Sequence, residues 1–305
     1  MAFEFPTEEQ KALVRQQLGT SEEDIRQALA NIRNWLQVQP HLPDVIDDER
    51  LERLYISCKC RTERVKQILD ATYTLKNKFP EFMLNRDPLG EDIITALKCC
   101  KVPTMPRLTP QFHRVGVLGG ISSDPSDLNP VHVAKACLMI INFILSFDYS
   151  VGYILLIDLK DMTAGHLSKL TIRDLRALEL ITRTAYAKRI KALHFLNAPK
   201  ILNTVLSIVK LALPEKLQKR IMVHERGSQT LFEHLPKYVV PDEMGGTAGP
   251  VRDIMDSDYA ELVKHREWFL EEDKYVADES KRPKDNGYSY ELFGVDGSFK
   301  KLQLD

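Results

Sequence analysis

The run Gly152-Tyr-Ile-Leu-Leu-Ile-Asp158 is apolar at every position between its glycine and its aspartate. A strand with one wet face alternates apolar and polar residues, so an unbroken run bounded by turn residues suits a central strand buried on both faces. Outward from it, Arg114–Leu118, Lys191–Leu196 and Arg220–His224 are further short β-type runs, separated by long helical patterns, one after Asn129-Pro130 and one capped by Thr171. Strand and helix in alternation predict parallel strands joined by helices. The expected fold class is α/β: a mixed, mostly parallel β-sheet with most helices on one side.

Upstream the signals are all helical. A first helix is expected from Thr7 to Leu18, stopped by Gly19, and Thr20 with Glu23 offers a capping box for a second that Pro40 ends. Asp47 or Asp48 caps a third, and Leu51, Leu54, Tyr55, Val65, Ile68, Leu69 and Tyr73 recur at packed-helix intervals. Pro103, Pro106 and Pro110 make a stiff joint in which helix cannot persist. Three regions are therefore expected: an all-α N-terminal module over 1–105 without strand, an α/β domain over 106–250, and a C-terminal helix with an extended tail over 251–305. Within the last, the polar stretch 273–287, with Pro283 and Gly287, reads as a loosely held arm.

One helix is unusual. In Asn197–Leu213, NAPKILNTVLSIVKLAL, the apolar side chains fill an arc of roughly 160°, wider than the stripe of about 100° on an ordinary surface helix. It is shorter than the roughly 20 apolar residues needed to cross a bilayer. A buried core helix is one reading of it, and a lid that touches lipid is the other. Arg189, Lys191, Lys216, Lys219 and Arg220 flank it, and if the two groups converge they form an anion site.

The chain has 305 residues, 44% hydrophobic and 28% charged, which excludes disorder as its dominant state. A net charge of −1, from 42 basic and 43 acidic residues, leaves no global field to draw it to nucleic acid or membranes, so any such attraction is local. Five cysteines in no disulfide or zinc spacing point to a reducing compartment. MAFEFPTEEQ does not read as a secretory signal and no segment reads as transmembrane, so a cytoplasmic location is expected. No metal or cofactor is expected. G-x-S-x-G, G-x-x-x-x-G-K-[ST] and H-E-x-x-H are absent, and Gly116, Gly119 and Gly120 have the wrong spacing for a dinucleotide turn. Asp158, Asp161, His166 and His194 read as structural before catalytic, and the chain is expected not to be an enzyme.

The block from Ala185 to Gly246, with His194-Phe-Leu-Asn-Ala-Pro199 and Pro241-Asp-Glu-Met-Gly-Gly246, resembles the CRAL-TRIO lipid-binding domain family, in its α-tocopherol transfer protein-like branch. Gly152–Leu159 followed by His166, the helical block Leu54–Glu81 and the tail Glu291–Leu302 support the resemblance. It implies an α/β domain enclosing one hydrophobic ligand, with Asn197–Leu213 as the gate helix that opens at a membrane. The implied pocket takes Ala134, Cys137 and Ile141 from one helix, Tyr153 and Ile157 from the central strand, and Ala164 and Leu170 beyond it. Leu178, Ile181, Tyr186, Ile190 and Leu193 continue the wall, and Leu202, Leu206, Ile208 and Leu213 close it from the gate. Relatives in that branch carry small hydroxyl residues at Cys137 and Ile141 and phenylalanine at Ala134 and Ala164. The substitutions imply a larger, drier cavity for a bulky apolar ligand of tocopherol, retinoid, carotenoid or sterol type. The same resemblance implies a phosphoinositide site at Lys59, Arg189, Lys191, Lys216 and Arg220, with Ser57 replacing one further basic position. The implied protein is a monomeric lipid carrier that attaches reversibly to anionic membranes. The alternatives are a lipid-sensing scaffold that recruits a partner protein, or an enzyme acting on the bound lipid through Asp158, His166 or Tyr153.

Overall fold

The computed structural model describes residues 3–186, 189–198, 207, 213 and 215–283. The gate positions Leu202, Leu206 and Ile208 and the tail 291–302 lie outside the described residues, while Leu213 lies within them.

The N-terminal part is built from α1 (Glu8–Leu18), α2 (Glu22–Gln37), α3 (Asp48–Ser57) and α4 (Thr62–Lys78). Thr7 forms a capping box with Gln10, and Gly19 ends α1 in the left-handed region at φ 67°. The second capping box is Ser21 with Asp24, one residue later than the sequence suggests. Asp47 caps α3 through the Arg50 backbone N–H. Val14, Ile32, Leu51, Ile56 and Val65 are fully buried where these helices meet.

After α5 (Pro80–Met83) and α6 (Glu91–Cys99) comes β1, Cys100–Lys101. It is a strand inside the region expected to hold none. Two residues carry no periodicity, and what defines the strand is its antiparallel pairing with Gly119–Gly120. Then follow β2 (His113–Gly120), α7 (Pro130–Phe147), β3 (Gly152–Asp158), α8 (Ala164–Ser168), α9 (Ile172–Thr184), β4 (Ile190–Leu196), α10 (Glu215–Gln218) and β5 (Ile221–Val223). The sheet order is β1-β2-β3-β4-β5, parallel from β2 onward. The proline joint runs along β2, with the Met105 N–H donating to Val115 O and the Val117 N–H to Pro103 O. Its missing donors fall where an edge tolerates them. Arg114, buried against the side chain of Asp148 at 2.8 and 2.9 Å, also donates to the carbonyls of Met105 and Pro106 and pins the joint.

On one face of the sheet Val115, Val117, Ile154, Leu156, Ala192 and Leu196 pack under Leu231, Leu235, Val239, Val240 and Ile254. Those come from short 3-10 turns between Thr230 and Met244 and from α11 (Val251–Lys264). The other face carries α7, α8 and α9. Burial along β3 alternates: Ile154 and Leu156 are buried, whereas Tyr153, Leu155 and Ile157 are half-buried. The expectation of burial on both faces is thus met on one side only, because the apolar side chains of the second face keep accessible surface. Tyr153 lies across Gly116, where a Cβ would stand 1.9 Å from its hydroxyl.

Among the described residues α7 alone is long and apolar enough to cross a membrane, where the sequence was expected to hold no such segment. In the fold it packs against α3, α5, α6 and α9 as a core helix.

The C-terminal part corrects a second expectation. After α12 (Arg266–Glu272) the chain from Asp273 is held, not loose, up to the last described residue. The Ala277 N–H donates to Tyr73 O and the Asp278 N–H to His41 O. Lys76 Nζ donates to the carbonyls of Glu272 and Tyr275, Arg86 pairs with Asp273 at 2.5 and 2.7 Å, and Arg282 with Asp70 at 2.9 Å. Polar residues hold this strap because Arg86 and Arg282 meet carboxylates, and Lys76 meets backbone carbonyls, where little water reaches.

Candidate functional site: a basic cavity beside an apolar wall

Helix α3 ends at Cys58, and the next two residues, Lys59 and Cys60, adopt φ of 58° and 55°. Two consecutive side-chain-bearing residues in the left-handed region cost roughly 1–2 kcal/mol each. Their N–H groups close the turn on Ile56 O and Tyr55 O at 2.9 Å. This turn brings Lys59 to the start of β4.

Arg189 and Lys191 lie two apart at the start of β4, so they share a side of the strand. Gly152, on the neighbouring strand, leaves room for Lys191: a Cβ there would stand 2.7 Å from Lys191 Cε and 2.8 Å from its Cγ. Lys216 comes from α10. Arg220 leads into β5, with its carbonyl accepting from Leu193 N–H and its guanidinium donating to Ile190 O. The flanking cation Lys219 instead pairs with Glu215 at 2.7 Å on the exposed side of α10.

All five expected basic residues, Lys59, Arg189, Lys191, Lys216 and Arg220, line one cavity of 460 Å³ together with Glu179, Thr182, Arg183, Ile190, Leu213 and Leu217. A second cavity of 320 Å³ shares Lys59, Arg183, Arg189 and Lys216 and adds Ser57, Arg61 and Arg64. Among the described residues Glu179 is the one carboxylate lining either cavity, and Arg183 already holds it at 2.8 Å. The cations therefore repel one another. Arg189 is held below its ordinary pKa by burial and then by Arg220, and Lys191 by burial and then by Arg189 and Lys59. Lys59 is lowered chiefly by Arg189. Burial, Lys191 and Arg189 together bring His113 down to about 4. Arg189 Nη1 is shielded from solvent without a hydrogen-bond partner among the described residues. Buried donors are ordinarily paired, so this arrangement suits an anion.

The sequence reading missed Arg61, Arg64 and Arg183. The first two lie within five residues of Lys59, on the same chain reversal, and that proximity is the available signal.

The expected pocket residues fall into three neighbouring groups. Ile157, Leu170, Ile190, Leu193 and Leu213 gather with Leu155 and Phe195 on the half-covered face of the sheet. Cys137 and Tyr153 pack with Leu118 against α6 and α7. Ala134, Ile141, Leu178, Ile181 and Tyr186 meet α4 and α5, with Ala134, Ile181 and Tyr186 fully buried there. Ala164, the first residue of α8, is exposed. Ile190 and Leu213 belong to the basic cavity as well as to the first group, so charge and apolar wall share a border.

The residues weighed for acid–base chemistry have structural partners. Asp158 accepts from Lys101 Nζ at 3.1 Å and from Asn197 Nδ2 at 2.8 Å, His166 caps α8 through Thr163, and His194 meets His224 at 2.9 Å.

Residues 113–246, from the first residue of β2 to the end of the 3-10 turns, match the family described as CRAL/TRIO domain. Residues 21–93 match the family described as Pinta-like, UBA domain. The basic cavity thus straddles two matched regions, with Lys59 in the helical one and the other four cations in the stretch that matches the CRAL/TRIO domain. Human alpha-tocopherol transfer protein-like is 25% identical over 212 residues, which cover 69% of this chain and 61% of that protein. Human clavesin-2 is 25% identical over 193 residues, 61% of this chain and 52% of that one. The chain therefore spans only part of the length of the curated relatives it matches. A crystal structure of Sfh5 aligns with a TM-score of 0.49 at 10% identity, covering 92% of this chain and 99% of that one.

Proposed function

We propose that this chain carries one hydrophobic lipid between membranes, held against the half-covered face of the sheet, and that its basic cavity takes the phosphorylated headgroup of a phosphoinositide during exchange. The observation that carries the reading is the shared border: Lys59, Arg189, Lys191, Lys216 and Arg220 converge on one cavity whose single carboxylate among the described residues is already engaged by Arg183, and Ile190 and Leu213 continue from it into an apolar wall. The match to the CRAL/TRIO domain and a relative whose name refers to tocopherol transfer support the lipid assignment.

The physical problem is moving an apolar molecule through water. Burial of its surface is worth about 25 cal/mol per Å², so release needs both an opened wall and a competing apolar phase. A membrane supplies the second, and anchoring cations beside the wall make opening coincide with contact. The segment 197–213 is the proposed gate, and Leu202, Leu206, Ile208 and Leu213 its inner face. The half-buried Cys137, Ile141, Tyr153, Ile157, Leu170, Leu178 and Ile190 are the proposed ligand contacts. The carrier works as a cytoplasmic monomer, attached only peripherally.

Extraction of the purified protein with organic solvent, followed by mass spectrometry, tests the lipid reading. A co-purified lipid, or uptake of a tocopherol, retinoid, carotenoid or sterol, is expected; a protein that takes up none overturns it. Transfer between vesicles with and without phosphoinositide tests the second half, with faster release expected to the phosphoinositide vesicles.

A further inference from the structure

All five cysteines are free, and two of them meet at one junction of the fold. Cys99 is the last residue of α6 and Cys100 the first of β1. In a continuous strand neighbouring side chains point to opposite faces. Here the change from helix to strand falls between the two residues and turns both thiols into one apolar cluster. Cys99 Sγ lies 3.8 Å from Cys100 Sγ and 3.4 Å from Ala96 O.

The two thiols are unequal. Cys100 is buried, whereas Cys99 is half-buried and keeps some access to solvent. A hydrogen bond from Cys100 holds the Cys99 thiol below its ordinary pKa against the effect of burial, and the same contact, with burial, pushes Cys100 up. The reachable sulfur is thus the readier nucleophile, and its neighbour is a protonated thiol in contact with it. The other near-neighbour pair has no such inequality, since burial raises Cys60 and pushes Cys58 up to about 12.

We propose that Cys99 and Cys100 form a reversible oxidation site for hydroperoxides, which closes to a disulfide between the two neighbours. The Cys99 thiolate attacks the terminal oxygen of the hydroperoxide and the O–O bond breaks. Sulfur becomes a sulfenic acid, and the departing alkoxide takes up the proton that the thiol released. Cys100 sulfur then attacks the sulfenic sulfur, the S–O bond breaks, and the hydroxide leaves as water with the Cys100 proton. In sum two thiols lose two electrons and two protons, and the hydroperoxide is reduced to an alcohol and water. Neighbouring Cα atoms stand about 3.8 Å apart across a trans peptide, short of the roughly 4.4–6.8 Å that disulfides span. The ring is therefore strained, and an ordinary dithiol reopens it.

The test treats the reduced full chain with hydrogen peroxide or tert-butyl hydroperoxide and maps the products by mass spectrometry. Loss of two hydrogens is expected in the peptide that carries Cys99 and Cys100, before Cys60 reacts, and dithiothreitol should restore them. In Cys100→Ser the sulfenic acid has no neighbour to close on, so dimedone should capture it at Cys99. If that variant fails to fold, Cys100→Ala serves the same purpose. In Cys99→Ser the buried Cys100 should stay reduced at the same dose. Oxidation of Cys60 ahead of Cys99, a disulfide from Cys99 to Cys137 in place of Cys100, or no dimedone adduct at Cys99 in the Cys100 variants each overturns the proposal.

Discussion

Two groups of cations, one under the C-terminal strap and one in the basic cavity, differ in what faces them. Under the C-terminal strap, Lys76, Arg86 and Arg282 meet the Glu272 carbonyl, Asp273 and Asp70 at 2.5 to 2.9 Å. In the basic cavity, Lys59, Arg189, Lys191, Lys216 and Arg220 face one carboxylate, already held by Arg183. Paired charge is architecture, since the energy of desolvation has been recovered inside the chain. Converging charge of one sign destabilises the empty protein and is recovered only when something else binds. The comparison separates residues that hold the fold from residues that wait for a ligand, without reference to any relative.

The sharpest way to break it is Arg86→Ala. That change leaves Asp273 without its buried partner and should cost about 3–5 kcal/mol in chemical denaturation. A loss below about 1 kcal/mol would mean that the strap is decoration. Charge reversal of Arg189, Lys191, Lys216 and Arg220 should do the opposite. Each cation near an anionic surface contributes roughly 1 kcal/mol, so attachment to phosphoinositide vesicles should fall at least about a hundredfold while the denaturation midpoint stays level or rises. Unchanged attachment would remove the anion site.

Asp258 is an intermediate case, an acid held by one backbone N–H and raised to about 7 by burial. Its folded pKa lies above the unfolded value, so the native state keeps the proton longer and stability falls as pH rises from about 4 to 7. Asp258→Asn should therefore stabilise by something on the order of 1–2 kcal/mol at pH 8 and by nothing near pH 4, as thermal denaturation at the two pH values would reveal. The smallest effect is a reporter. His113 is depressed to about 4, so its neutral form contributes stability above about pH 6.5 that is lost as pH falls toward 4. A polyanion such as an inositol polyphosphate should offset Lys191 and Arg189 and raise the His113 midpoint by about one unit in an NMR titration. A midpoint that stays put would place the anion elsewhere.

The parallel strands were legible because β-type apolar runs between turn residues leave few alternatives, and the observed bounds lie within two residues of the expected ones. The strand Cys100–Lys101 was not, since its partner glycines lie far along the chain. Nor was the strap, whose residues read as solvent-loving until Asp70, Lys76 and Arg86 are placed against them about 190 to 210 residues away in sequence. For the site, residue type and spacing revealed two flanking groups of cations, and the family resemblance added Lys59. Periodicity could not, because Lys59 reaches the cavity through a left-handed turn, and Arg61, Arg64 and Arg183 join it only through the packing of α4 and α9.

The strap also bears on how the chain is made. Asp273 is added to the growing polypeptide 187 residues after Arg86. At about 5–20 residues per second that interval lasts roughly 10 to 40 s on the ribosome. Throughout it Arg86 has no carboxylate of the strap to meet, and Asp70 has no Arg282. The N-terminal module is therefore synthesised first and locked last, and a ribosome that stalls before Asp273 leaves behind a product in which Arg86 and Asp70 lack their partners in the strap.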